Sequence, residues 1–310
     1  MGRVTQRAPV TRVDVSDPAA PRVVQRPDTL AVEEPMEMRV DGSALTVTMR
    51  TPGDDFDLTL GFLHAEGMIA SADDVTRLMH CLDTDESGAP TYNVVDVTLA
   101  AGVALPEKRT RSFLTTSACG VCGTASIEAL RTTSRYAVAE DRSHVDPAVL
   151  AGMPGLMRGA QKVFDRTGGI HAAGLFTSDG TLLIVREDVG RHNAVDKVVG
   201  WALREGRLPL VGHVLVVSSR ASFELVQKAH AAGIPVLATV SAASSLAVEL
   251  AEDVGMTLAG FVRPPRLAVY AGADRLLAAQ EIQAAGSATR GEVIAGMSHS
   301  MPHSMDRRTG

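Results

Sequence analysis

The sequence predicts an α/β protein: an α+β amino-terminal unit, then a three-layer α/β/α domain with a mixed sheet. Three observations carry this expectation. From Pro147 onward, helix-period stretches (RHNAVDKVVGWALREG, FELVQKAHAAG, SLAVELAEDVG) alternate with strand-like ones (HVLVVSS, IPVLATVS, MTLAGFVR). Those strands are near-continuous Val, Leu and Ile runs, as in a sheet covered on both faces by helices and largely parallel in its later part. Asp179-Gly180, between AAGLFTS and TLLIVRE, is a hairpin signal that adds antiparallel pairing.

Residues 1–27 mix Pro, Arg, Asp and Thr without hydrophobic period and read as a mobile segment. Residues 28–134 make the smaller α+β unit. In it Ser43–Arg50 (SALTVTMR) alternates like a strand, and TPGDD is a turn supplying an Asp cap for FDLTLGFLHAEGMI, a helix with Phe56, Leu60 and Leu63 on one face. Tyr92–Leu99 (YNVVDVTL) is a second strand, and the unit ends with the loop TSACGVCGT and the helix TASIEALR. Residues 135–283 make the larger domain, which begins with a helix through PAVLAGMPGLMRGAQKVFDR. Residues 284–310, rich in Gly, Ser, Met and His, read as a disordered tail, and His299, Met301, His303 and Met305 there are solvated side chains rather than a metal site.

Hydrophobic residues at 45% and a length of 310 residues are enough for a large core. The formal net charge of -6 provides no global basic field, which argues against wholesale binding to nucleic acid or to an anionic membrane. An anionic ligand must therefore be caught locally. MGRVTQRAPVTRVD lacks the apolar core of a secretory signal, and no stretch offers about twenty consecutive apolar residues, so a cytoplasmic protein is expected.

Three cysteines, with Cys119 and Cys122 three positions apart, do not form a disulfide framework. A structural zinc site needs four ligands, and the partner pair is missing; even with His171 the set stops at three, so no metal is expected. Cys81 lies in an apolar stretch, where a lone Cys is most often a small core residue. A zinc nucleotide deaminase combines H-x-E with P-C-x-x-C. Here His171-Ala172-Ala173 has Ala where the essential acid belongs, and Ala118 stands where Pro belongs. A thioredoxin-like redox pair is weakened by the flanking glycines. A thiolate that accepts and delivers sulfur needs accessibility, a lowered pKa and freedom of approach. Gly120 and Gly123 and the helix expected from Thr124, whose positive end would face the loop, suit that role.

MRTPGDD, GFLHAEGMI, SACGVCG, TGGIHAAG, REDVGRHNAVDKVVG, SSRASFELVQKA, SSLAVELAE and GFVR occur in order from about Pro35 to Tyr270. Together they resemble the FdhD family, sulfur carrier proteins required for formate dehydrogenase activity. The resemblance implies a cytoplasmic accessory sulfurtransferase that takes sulfur from a cysteine desulfurase as a persulfide. It passes that sulfur to the molybdenum cofactor, molybdenum bis(molybdopterin guanine dinucleotide), which is then inserted into formate dehydrogenase. By motif position Cys119 bears the persulfide and Cys122 is its companion. The resemblance also implies a larger domain similar to the cytidine deaminase fold, a homodimer, and a cofactor-binding segment at Phe261, Val262, Arg263, Pro264, Pro265 and Arg266. There the chain departs from the family, since Pro264 and Pro265 stiffen a loop where Gly is expected and remove two backbone donors.

Ligands of such sheets sit beyond the carboxyl ends of the strands. Arg191 and His192 open a helix there, where the dipole already favours an anion; the plainer reading has Asp188 capping the helix and Arg191 pairing with Glu187. Ser218, Ser219, Arg220 and Ser222 suit phosphate or guanine recognition, with helix capping by Ser222 as the plainer role. In TGGIHAAG, His171 serves either a ligand or the core. GDP is the expected fragment ligand, and no Walker or dinucleotide glycine motif points to another use of nucleotide. A cofactor chaperone without covalent sulfur transfer remains the alternative.

Overall fold

The structure, a computed structural model, describes residues 3–81, 92–103, 134–278 and 280–281. Residues 5–31 correct the first expectation: β1 (Thr5–Asp14) and β2 (Arg22–Ala31) form a full-length antiparallel hairpin where the sequence suggested a mobile segment. None of its residues is buried, so neither face had to be apolar and no alternation marked it.

Next come β3 (Glu34–Val40), β4 (Ser43–Arg50), helix α1 (Asp55–Ala65), β5 (Val75–His80) and β6 (Val94–Leu99). The four strands form one sheet in the order β4-β3-β6-β5, with β3 and β6 parallel. The Asp cap expected before α1 is not made. Asp54 holds the cap position in a left-handed conformation (φ 55°) without a side-chain cap bond, and Asp55 is drawn to the buried Arg50 at 3.0 Å.

The larger part contains α2 (Pro147–Ala160), α3 (Lys162–Thr167), the hairpin β7 (His171–Thr177) and β8 (Leu182–Asp188), then α4 (Arg191–Arg204), β9 (His213–Val217), α5 (Phe223–Ala231), β10 (Val236–Thr239), α6 (Ser245–Asp253), β11 (Thr257–Arg263) and β12 (Arg266–Ala271). Pro147 sits in the first turn of α2, where its missing N–H costs nothing, and the Asp146 carboxylate accepts from Ala148 N at 2.7 Å. The sheet order is β12-β11-β10-β9-β7-β8, with β9, β10 and β11 parallel and the outer pairings antiparallel. Leu215, Val217 and Leu237 pack under α4, α5 and α6, whereas Val214, Val216 and Val236 face Leu150, Met153 and Met157 of α2. That is the expected three-layer arrangement with a mixed sheet.

Helix α1 lies between the four-stranded sheet and α4, with Leu60 and Leu63 sharing a cluster with Val40, Val97 and Leu203. Two glycines allow the crossing. A Cβ on Gly61 would stand 1.9 Å from the Asp196 carbonyl oxygen, and one on Gly200 1.8 Å from that of Asp57. The helices touch backbone to backbone. Gly200→Ala should therefore destabilise the protein, at the upper end of the ~1–3 kcal/mol typical of overpacking, although alanine is the better helix former by about 1 kcal/mol. Urea unfolding measures it, and an unchanged or raised midpoint would contradict the contact.

Candidate functional site at the carboxyl end of the six-stranded sheet

Strands β9, β10 and β11 run parallel and finish at one end of the sheet. Strand β7 starts there, with Ala173 opposite Val217, and β8 ends there, with Asp188 opposite His171. His171, Arg191, His192, Ser219, Arg220 and the segment Phe261–Arg266 thus all gather at this end, as the strand-end rule predicts. Cys119 and Cys122, with Gly120 and Gly123, lie outside the described residues.

The N-cap of α4 is Gly190, which has no side chain to satisfy the first turn's N–H groups. Arg191 follows it. Among the described residues Arg191 has no hydrogen-bond or ion-pair partner, and its Nε is shielded from solvent. A cation at a helix N-terminus is disfavoured by the dipole, so an unpartnered guanidinium there calls for an anion that satisfies both. The plainer pairing with Glu187 is not formed. That carboxylate instead accepts from Val163 N at 2.9 Å and Phe164 N at 2.8 Å, closing the start of α3.

Asp188 and Lys197 form a buried ion pair at 2.8 Å. Asp188 also accepts from Gly190 N at 2.8 Å, Asn193 Nδ2 at 3.0 Å and Thr51 N at 3.1 Å, and Lys197 Nζ donates to Thr51 O at 2.9 Å. Two sequence words far apart, MRTPGDD and EDVGRHNAVDK, are knitted here. Half of the second word is therefore structural: Asp188, Asn193 and Lys197 fix the turn that presents Arg191.

A second helix N-terminus faces the same place. Ser222 is the N-cap of α5, but its hydroxyl makes no cap bond and is buried without a partner, contrary to the plain capping reading. Two residues on, Glu224 Oε2 lies 2.7 Å from His192 Nε2. His171 Nδ1 lies 3.3 Å from Ser218 Oγ, which accepts from Ala172 N at 2.9 Å. Burial, then the charge of Arg191, holds the His171 imidazole below its ordinary range, which favours its neutral form.

The loops after β9, β10 and β11 are stitched together by Ala221 N to Ala242 O at 2.9 Å, Ser244 N to Ala221 O at 3.1 Å and Phe261 N to Ser241 O at 3.1 Å. Ser219 is buried and donates to the carbonyl of Arg220, whose side chain is exposed. Phe261, at φ 49°, bulges out of its ladder and is 45% exposed, at the sheet end where Val240 and Leu246, following β10, are exposed too. This apolar rim next to arginines suits a flat ring joined to phosphates. Val262 points the other way, fully buried in the core, so only its backbone can serve a ligand. Arg263 pairs across the hairpin with Arg266 in the β ladder, and exposed Pro264 and Pro265 form the tip.

Sequence reasoning missed Glu224, Asn193 and Lys197 as parts of this site, and gave Asp188 only a capping role. A charged residue at a core-facing position of a helical pattern was the available signal for Lys197. Cys81 is free and only half-buried at the end of β5. Among the described residues no group of three or more His, Cys, Asp and Glu side chains could hold a metal ion, and no helix is long and apolar enough to cross a membrane.

The model of the FdhD/NarQ family matches residues 31–277. A relative from Mycolicibacterium paratuberculosis named Sulfur carrier protein FdhD is 58% identical over 275 residues, covering 88% of this chain and 99% of that one. A relative of the same name from Streptomyces coelicolor is 56% identical over 278 residues, covering 89% and 97%. A crystal structure from Desulfotalea psychrophila, named for an accessory role to formate dehydrogenase, shares the fold with a TM-score of 0.68 at 22% identity, covering 89% of this chain and all of that one.

Proposed function

The chain belongs to the FdhD/NarQ family, and on that premise we propose that it is a cytoplasmic sulfur carrier serving formate dehydrogenase. The Cys119 thiolate attacks the outer sulfur of a cysteine desulfurase persulfide. The desulfurase cysteine leaves as a thiolate and Cys119 becomes the persulfide, with Cys122 as its companion. That sulfur is then delivered to molybdenum bis(molybdopterin guanine dinucleotide), held as a substrate before it enters formate dehydrogenase. The names of the relatives support sulfur carriage.

The observation that carries the cofactor half of the reading is the unpartnered Arg191 at the start of α4, on a sheet end that also bears Arg220 and Arg263, neither with a carboxylate partner among the described residues. Four strand spacings separate β8 from β11, about 19 Å at ~4.8 Å each, so these groups suit an extended ligand with several negative charges. Exposed Phe261 offers a surface for a guanine ring. A ligand with two guanine arms fits a homodimer that presents two such ends.

GDP should bind as a fragment. Arg191→Ala, Arg220→Ala and Arg263→Ala should each weaken it by about 1.5–3 kcal/mol, the loss of a charged hydrogen bond. Calorimetry tests this, and wild-type affinity in all three variants would overturn the assignment. Because the arginines would serve a cofactor chaperone equally well, that second reading is separated by the cysteines and not by GDP.

A further inference from the structure

We propose that Glu224 is a positioning residue that makes His192 a proton-linked part of the anion site, so that binding a phosphate group there takes up a proton. This rests on reading the sheet end as a nucleotide-phosphate site. His192 is the second residue of α4 and Glu224 the second residue of α5, so two helix N-termini meet at one close contact, His192 Nε2 to Glu224 Oε2 at 2.7 Å, in which that buried nitrogen completes no hydrogen bond. Helix N-termini favour the carboxylate and disfavour an imidazolium. Glu224 is thus the resident anion of the site, and it offsets the dipoles on behalf of His192.

Most of the charged neighbours are already paired with one another. Contact with His192, then the charges of Arg191 and of Lys228, holds the Glu224 carboxyl below the usual range against the opposing effect of burial. Glu224 stays ionised across the range in which a histidine titrates. Within α4, Asp196 is tied to Lys228 of α5 at 2.7 Å, and Glu66, just beyond α1, acts on Asp196. Asp188, before α4, is tied to Lys197. The neutral form of His171 on β7 is favoured by burial and by Arg191. His192 is the imidazole that faces Glu224 across the two helix starts. A phosphate drawn to unpartnered Arg191 and to the buried Ser222 hydroxyl adds negative charge beside it. That favours the imidazolium, and by reciprocity a proton on His192 tightens phosphate binding.

Calorimetric titration of GDP in two buffers of different ionisation heat, from about pH 6 to about pH 8, counts the protons exchanged. The terminal phosphate of GDP ionises near pH 6 itself, so the quantity read is the difference between proteins titrated with the same GDP. Wild-type affinity should fall about fivefold more across this range than that of His192→Gln, which should show no uptake beyond the phosphate's own. Glu224→Gln should still bind GDP but shift its proton uptake about one unit toward lower pH, and Glu224→Asp should restore part of the wild-type profile. Uptake and pH profile identical in wild type and Glu224→Gln overturn the proposal while leaving GDP binding intact. A uniform loss of affinity without a changed profile makes Glu224 merely structural and overturns it too. A wild type that binds no GDP at any pH removes the nucleotide reading itself, and the linkage with it.

Discussion

Cys119→Ala is expected to abolish sulfur loading and formate dehydrogenase activation together. After incubation with a desulfurase and cysteine, the wild-type chain should gain the mass of sulfur at Cys119, and the variant should gain none there. Cys122→Ala should be milder in both assays, because the companion thiol is not the attacking group. The sequence makes the measurement clean, since the chain has only three cysteines and Cys81 stands apart at the end of β5 as an internal control. An undiminished adduct in the variant would place the carrier sulfur elsewhere. Full activation without an adduct would leave a cofactor chaperone, which the arginines at the sheet end would suit without any sulfur chemistry.

The larger domain was legible because its strands are buried on both faces and its helices carry a 3.6-residue apolar stripe, so local pattern and tertiary environment agree. The β1–β2 hairpin was not, because exposure on both faces removed the alternation that marks a strand. Strand β5 escaped for a different reason: a register shift between Val75 and Arg77 puts Val75 and Leu78, three apart, against the core and breaks the alternation. Within the site, Arg191 and Arg220 could be placed from their positions after predicted strands, whereas Arg263 rested on the family resemblance alone. The ion pairs could not, since Lys197 and Asp188 reach Thr51 across more than a hundred residues of chain and leave no local trace. That is also why the sequence offered Asp188 only as a local helix cap, when with Asn193 and Lys197 it ties the word to Thr51. The Ser222 hydroxyl shows the converse, because capping rules predicted a local use that the structure leaves unfilled.

Lys197→Met is expected to cost about 3–5 kcal/mol of stability, the penalty for leaving one charge of a buried pair uncompensated. Lys197 and Asp188 are both essentially inaccessible, 1% and 0% exposed, so water cannot replace the lost ammonium. The surviving carboxylate keeps its bonds from Gly190 N, Asn193 and Thr51 N, which partly solvate it, but the Thr51 and Glu187 carbonyls lose their donor. Neutralising the second partner should recover much of the loss: Lys197→Met with Asp188→Asn should be more stable than Lys197→Met alone, because an amide costs far less to bury than a charge. Guanidinium unfolding of the wild type, both single variants and the double variant gives the coupling directly. A single Lys197→Met loss below about 1 kcal/mol, or a double variant no better than the single, would mean that the pair is not what holds this turn. The same four proteins test whether fold and site are joined. Since Asp188 fixes Gly190 and Asn193, and these set where Arg191 points, GDP affinity should fall in Lys197→Met even under conditions where it remains folded, although the lysine itself touches no ligand.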